Sequence, residues 1–177
     1  MTDAGRNPAV PIGNGASWLA SPERRTRIAR WARNLGALSI LAVGVDHMEQ
    51  YSVDSYSAIP TIGTLFLLNF VSSVPIALGL VAPLRRVSAR WANAIWALLA
   101  LGGLGVAVGS LAGLLISENS GLFGFMERGY REAIVLSVVF EVAAIAFLGF
   151  FLVAQRDWRN PERRSDSPSL TTWRTAP

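Results

Sequence analysis

The stretch Asp46–Val74, DHMEQYSVDSYSAIPTIGTLFLLNFVSSV, decides the reading of this chain. It opens on the sole histidine, His47, set among the acids Asp46 and Glu49. It then passes through an Ile59-Pro60 turn and ends in an apolar run broken by Asn69, Ser72 and Ser73. Proline suits the first turn of a helix, where its missing N–H would lack a partner anyway. The stretch therefore reads as the polar end of one apolar helix, a short loop, and the first half of the next.

Working outward, the same pattern recurs. A membrane-spanning helix needs about 20 apolar residues to cross roughly 30 Å of hydrocarbon. Segments near 31–50, 61–82, 92–116 and 133–155 meet that need, and they are apolar nearly all round rather than along one stripe. Charged residues make up 16% of the 177-residue chain, against about 25% in an ordinary soluble domain. They are crowded between the apolar segments. The expected fold is all-α, a four-transmembrane-helix bundle over 23–156 with short outer loops. Residues 1–22 and 157–177, rich in small and polar residues, are expected to be disordered tails.

Orientation follows from the arginines. All 16 basic residues are arginine, and 14 of them fall before 34, between 85 and 90, or after 155. The other two connections hold only Arg128 and Arg131. Basic residues are retained on the cytoplasmic side, so both termini are expected inside a bacterial cytoplasmic membrane. The helix start Ser21-Pro22-Glu23 and Trp31, Trp91 and Trp158 mark the inner side, while Tyr51, Tyr56 and Tyr130 fall outside. The arginines beside helix ends point to lipid headgroups rather than nucleic acid. The chain has no cysteine, which excludes disulfides, thiolate metal sites and CxxC redox chemistry.

Glu141 stands alone among ionisable groups between Ala133 and Gln155, about 12 Å into its span at 1.5 Å per residue. A charge at such depth is costly and belongs on the bundle interior. Ser137 lies one turn away on the same face. Asn69 sits at matching depth in the second span, with Ser72 and Ser73 continuing its polar face. Asn69 and Glu141 are expected to meet, either as an interhelical hydrogen bond or as part of a proton- or substrate-handling site. Asp46, His47 and Glu49 close the outer end of the first span. With Glu118 or Glu127 they offer oxygen and nitrogen donors, but the spacing fits no established metal pattern, so no metal or cofactor is expected. The loop GLFGF at 121–125, flanked by Glu118 and by Glu127-Arg128, reads as an interfacial turn with Phe123 and Phe125 dipping into lipid, or as a lid over the His47 end. Gly105, Gly109 and Gly113 recur at four-residue spacing and predict a flat packing groove, within the bundle or across a homodimer.

His47, Tyr51, IPTIGTLFLLN at 59–69, GLFGFMER at 121–128 and Glu141-Val142-Ala143-Ala144 together resemble a family of small four-helix membrane proteins from high-GC Gram-positive bacteria. The resemblance spans about residues 35–155. It implies the fold, and it implies that His47, Asn69, the 121–128 loop and Glu141 share one site; it adds no reaction. Two functional classes follow. One is a membrane component that is accessory to other proteins or binds a lipid, quinone or other small ligand in an outward-facing polar pocket. The other is a small proton-coupled transporter working as a homo-oligomer with Glu141 as titrating group. No P-loop, GxGxxG, GxSxG or HExxH string is present, so an enzyme comes third.

Overall fold

A computed structural model describes residues 22–123 and 132–159. Among these residues the chain is helical: α1 (Pro22–Ser52), a short 3-10 turn (Tyr56–Ala58), α2 (Pro60–Val81), α3 (Ala89–Asn119) and α4 (Glu132–Arg159). Short connections make successive helices antiparallel neighbours. α1 packs closely along both α2 and α4, α3 packs along α4, and α2 and α3 touch more sparingly. The helices thus occupy the corners of a square in chain order, with α2 and α4 on one diagonal. Most of the expected tails fall outside the described residues, although α4 continues through Arg159.

The outer surface is apolar where that of a soluble bundle would be polar, and several polar groups lie inside. The buried set includes Ser39, Asp46, His47, Gln50, Ser73, Ser117, Ser137 and Glu141, whereas Leu38, Leu78, Leu98 and Val153 face outward. Polar groups inside and bulky aliphatics outside are what a hydrocarbon solvent selects, because lipid cannot satisfy hydrogen bonds. Three helices are long and apolar enough to cross a membrane: Thr61–Val81, Ala89–Asn119 and Glu132–Arg156. α1 differs for a local reason. Its apolar run, 35–45, broken only by Ser39, lies between Arg33-Asn34 and Asp46-His47 and covers only about 16 Å. Of the polar residues that lower its hydropathy, Ser39, Asp46, His47 and Gln50 are buried, whereas Asn34, Glu49 and most of the arginines near its start are exposed.

Small residues let the helices approach. A Cβ on Gly44 of α1 would stand 2.7 Å from Ser73 Cβ of α2, and one on Gly103 of α3 would stand 2.8 Å from Leu148 of α4. Around these contacts run two apolar layers. One joins Ala32, Ala37, Leu80, Ala100, Leu148 and Phe151. The other joins Ile40, Val43, Ala77, Ala107 and Ala144. Near the first layer, the Arg33 guanidinium lies over the Trp96 ring at 4.0 Å, a cation–π contact. Pro75 stands inside an α2 that continues through it.

The three glycines at four-residue spacing are not where the helices close up. A Cβ on Gly105 or Gly109 would meet nothing within 4 Å, and one on Gly113 would touch only Leu122. The expectation of a packing groove within the bundle is therefore corrected. α2 and α3 diverge at this level, and the missing side chains leave space instead of a seam.

Candidate functional site

That space is a cavity of about 330 Å³ in the half of the bundle nearer the α1–α2 and α3–α4 connections. Its walls come from every element. The 59–69 string builds the first of them. Ile59 is extended and caps α2, and Pro60 occupies the first turn. Gly63 then admits the preceding turn, since a Cβ there would stand 2.7 Å from the Tyr56 carbonyl. This close approach lays the buried Tyr56 ring on Phe66, with centroids 4.8 Å apart and planes 10° from parallel. Phe66 also meets His47 at 4.8 Å. One helical turn further, Asn69 and then Ser72 continue the wall.

On α1, His47 is fixed at both ring nitrogens. A carbonyl only accepts, so Nδ1–H donates to the Val43 carbonyl at 2.9 Å. Nε2 of the neutral ring then accepts from the Ser110 hydroxyl of α3 at 2.8 Å. Ser110 is the sole hydroxyl between Asn93 and Ser117 in α3. It also stands beside the Glu141 carboxylate. Asn69, Ser110 and Glu141 each lie nine residues from the helix end nearest these connections (Pro60, Asn119 and Glu132). They therefore share one level, about 13 Å in.

Glu141 is 1% exposed. Its Oε1 faces the Ser137 hydroxyl at 3.5 Å, the outer limit of a hydrogen bond. Its Oε2 has no hydrogen-bond partner among the described residues. A buried polar atom left without a partner costs about 1–3 kcal/mol, more when charged, so a donor bound in the cavity that Glu141 lines would stabilise it. Asp46 stands behind it on α1, close enough to Glu141 to interact through space. Asp46 takes the Gln50 amide at 2.7 Å and lies next to Ser137.

The sequence-derived candidates divide accordingly. His47, Asn69, Ser72, Ser137 and Glu141 all line the cavity. Ser73 is turned to the α1–α2 seam, where it donates to Asn69 Oδ1 at 3.2 Å. Asp46 is buried behind the wall, and Glu49 is exposed. Asn69 and Glu141 face the same cavity, but no hydrogen bond joins them among the described residues. They sit on diagonal helices, with α1 packed between. Gly105, Gly109 and Gly113 form part of the cavity wall. Glu118 is half-buried near the end of α3, and Phe123 is exposed with φ 51. Leu122, not a phenylalanine, is the loop residue that enters the cavity. Phe125, Glu127 and Arg128 lie outside the described residues. No group of three or more His, Cys, Asp or Glu side chains that could hold a metal forms among the described residues.

Ser110, Gln50, Tyr56 and Phe66 escaped the sequence reading. Ser110 had a signal, as an isolated hydroxyl in an apolar span. The stacking of Tyr56 depends on a turn that only Gly63 permits. The Ser110–His47 pair has the spacing of a nucleophile and its base. However, the backbone amides around Ser110 are spent inside an unbroken α3, so they form no oxyanion hole beside it. The arrangement is better suited to holding a ligand than to acyl transfer.

Searches against protein-family models, curated proteins and solved structures found no match to this chain.

Proposed function

We propose that this protein is a four-span membrane component of the bacterial cytoplasmic membrane that binds a small ligand between α2 and α3, on the outer side. One observation carries the reading: Glu141 lines a cavity of about 330 Å³, and its Oε2 is buried with no hydrogen-bond partner among the described residues. The volume falls within the usual range for small-molecule sites, roughly 300–1,000 Å³. The lining is mainly apolar with a few convergent polar groups, as such sites require. α1 serves as the fourth span because its polar residues Ser39, Asp46, His47 and Gln50 are buried while Leu38 and Val45 face outward. The arginine distribution sets both termini inside. The resemblance to small four-helix membrane proteins belongs to the same reading, since His47, the 59–69 string and Glu141 surround the cavity.

A proton-coupled transporter remains the second reading, favoured by the same carboxylate. Its homo-oligomer seam would use the exposed glycine edge of α3.

The chain lacks cysteine, so a single introduced thiol is an unambiguous reporter. Ser72 lines the cavity, whereas its neighbour Ser73 is 0% exposed in the α1–α2 seam. Ser72→Cys is expected to react with N-phenylmaleimide in membranes, Ser73→Cys to resist, and Gly109→Leu to slow Ser72→Cys by filling the cavity. Equal reactivity at 72 and 73, unaffected by Gly109→Leu, would count against a ligand-accessible cavity.

A further inference from the structure

We infer that the ligand is an amphiphilic organic cation, an ammonium or phosphonium centre on an apolar body, admitted sideways from the lipid between α2 and α3. This rests on the ligand-binding reading above and names its chemistry.

Charge balance comes first. Glu141 and Asp46 bring two acids within electrostatic reach of each other, and a carboxylate held in hydrocarbon is stabilised by a counter-charge. Among the described residues lining the cavity, His47 is the sole basic side chain. Both of its ring nitrogens are already engaged, by Val43 and Ser110. From the other elements, Asn69 and Ser72 (α2), Ser110 and Ser117 (α3) and Ser137 (α4) face the cavity, and all are uncharged. A cationic ligand would supply that counter-charge. An anionic headgroup would be repelled by the same pair of acids.

The walls fit such a body. Phe66 stands between Tyr56 and His47, each 4.8 Å away, so aromatic surface borders the cavity that the carboxylate also borders. Ile62, Leu65 and Ile134 supply apolar contact for the body of such a ligand. The mouth is equally specific. Leu65 and Leu68 on α2 and Gly105 and Gly109 on α3 line the cavity and are also exposed. All four lie on helices apolar enough to cross a membrane, so the opening faces lipid, the phase in which amphiphilic cations accumulate.

The test uses full-length protein in phosphatidylcholine nanodiscs and two tritiated probes of one shape: benzyltrimethylammonium and its neutral carbon isostere, neopentylbenzene. Binding in excess of empty nanodiscs is measured by equilibrium dialysis. The proposal expects saturable binding of the cation that exceeds binding of the isostere. It further expects a loss of about tenfold or more with Glu141→Gln, substantial retention with Glu141→Asp, and abolition with Gly109→Leu. If both probes bind alike, Glu141→Gln changes nothing and Gly109→Leu still abolishes binding, the cation assignment is overturned while the ligand-binding reading stands. If neither probe exceeds empty nanodiscs and Gly109→Leu changes nothing, both readings fall together.

Discussion

Gly44 and Gly109 offer a matched pair of perturbations that separates packing from cavity. Both stand inside long helices, so alanine at either should gain about 0.8–1 kcal/mol in intrinsic helix propensity. The surroundings then decide the sign. At Gly44 the new Cβ would lie 2.7 Å from Ser73 Cβ, 3.2 Å from Ser73 Oγ and 3.5 Å from Phe70 Cα. Ser73 Cβ is fixed to the α2 backbone and has no free rotation to yield by, so the two helices must separate. Overpacking of this kind costs about 1–3 kcal/mol, which leaves Gly44→Ala destabilised by about 0–2 kcal/mol after the propensity gain. At Gly109 nothing lies within 4 Å of the added atom, so Gly109→Ala should be neutral or stabilised by up to about 1 kcal/mol. Reversible unfolding in mixed micelles, titrated with dodecyl sulfate and followed by tryptophan fluorescence, reads both variants on one scale. Equal destabilisation of the two would mean that the α3 glycine stripe is a packed interface and not an open wall.

Ser110→Ala removes the donor to His47 Nε2 and leaves a buried acceptor unpaired. It should cost about 1–2 kcal/mol in the same unfolding assay, and an unchanged midpoint would mean the α1–α3 bond contributes nothing. Gly63→Val should drive the 3-10 turn off α2, where a Cβ would meet the Tyr56 carbonyl at 2.7 Å. Loss of near-ultraviolet aromatic circular dichroism would report it, and a wild-type spectrum would contradict the proposed cause of the Tyr56–Phe66 stack. For topology, Ser57→Cys between α1 and α2 should react with a membrane-impermeant maleimide on intact cells. Ser88→Cys between α2 and α3 should react only after lysis, and the reverse pattern would invert the orientation.

The helical layout was legible because each apolar segment is bounded by charge or proline. Pro22 and Pro60 mark the starts of α1 and α2 as expected. The depth of Glu141 and Asn69 was also legible, since helical rise converts sequence position into height. Which side chains meet was not. That depends on the order of helices around the bundle: Asn69 and Glu141 share a level but occupy diagonal helices. The glycine stripe misled for a related reason. Four-residue spacing describes one face of one helix and carries no information about whether a neighbour presses on it. Gly44, Gly79 and Gly103, which have no such spacing, are among the glycines with close neighbours across the bundle. Ser73 follows the same logic, because one residue of difference from Ser72 rotates it about 100° out of the cavity and into the seam.

Whether the cavity holds a small molecule is read directly from ligand retention. Native mass spectrometry would compare full-length wild type, extracted gently from its own membrane, with Gly109→Leu prepared identically. A discrete small-molecule mass is expected on the wild type and is expected to be absent from Gly109→Leu at the same oligomeric state. Identical spectra from the two, whether both bare or both carrying the same adduct, would contradict a ligand held in the cavity.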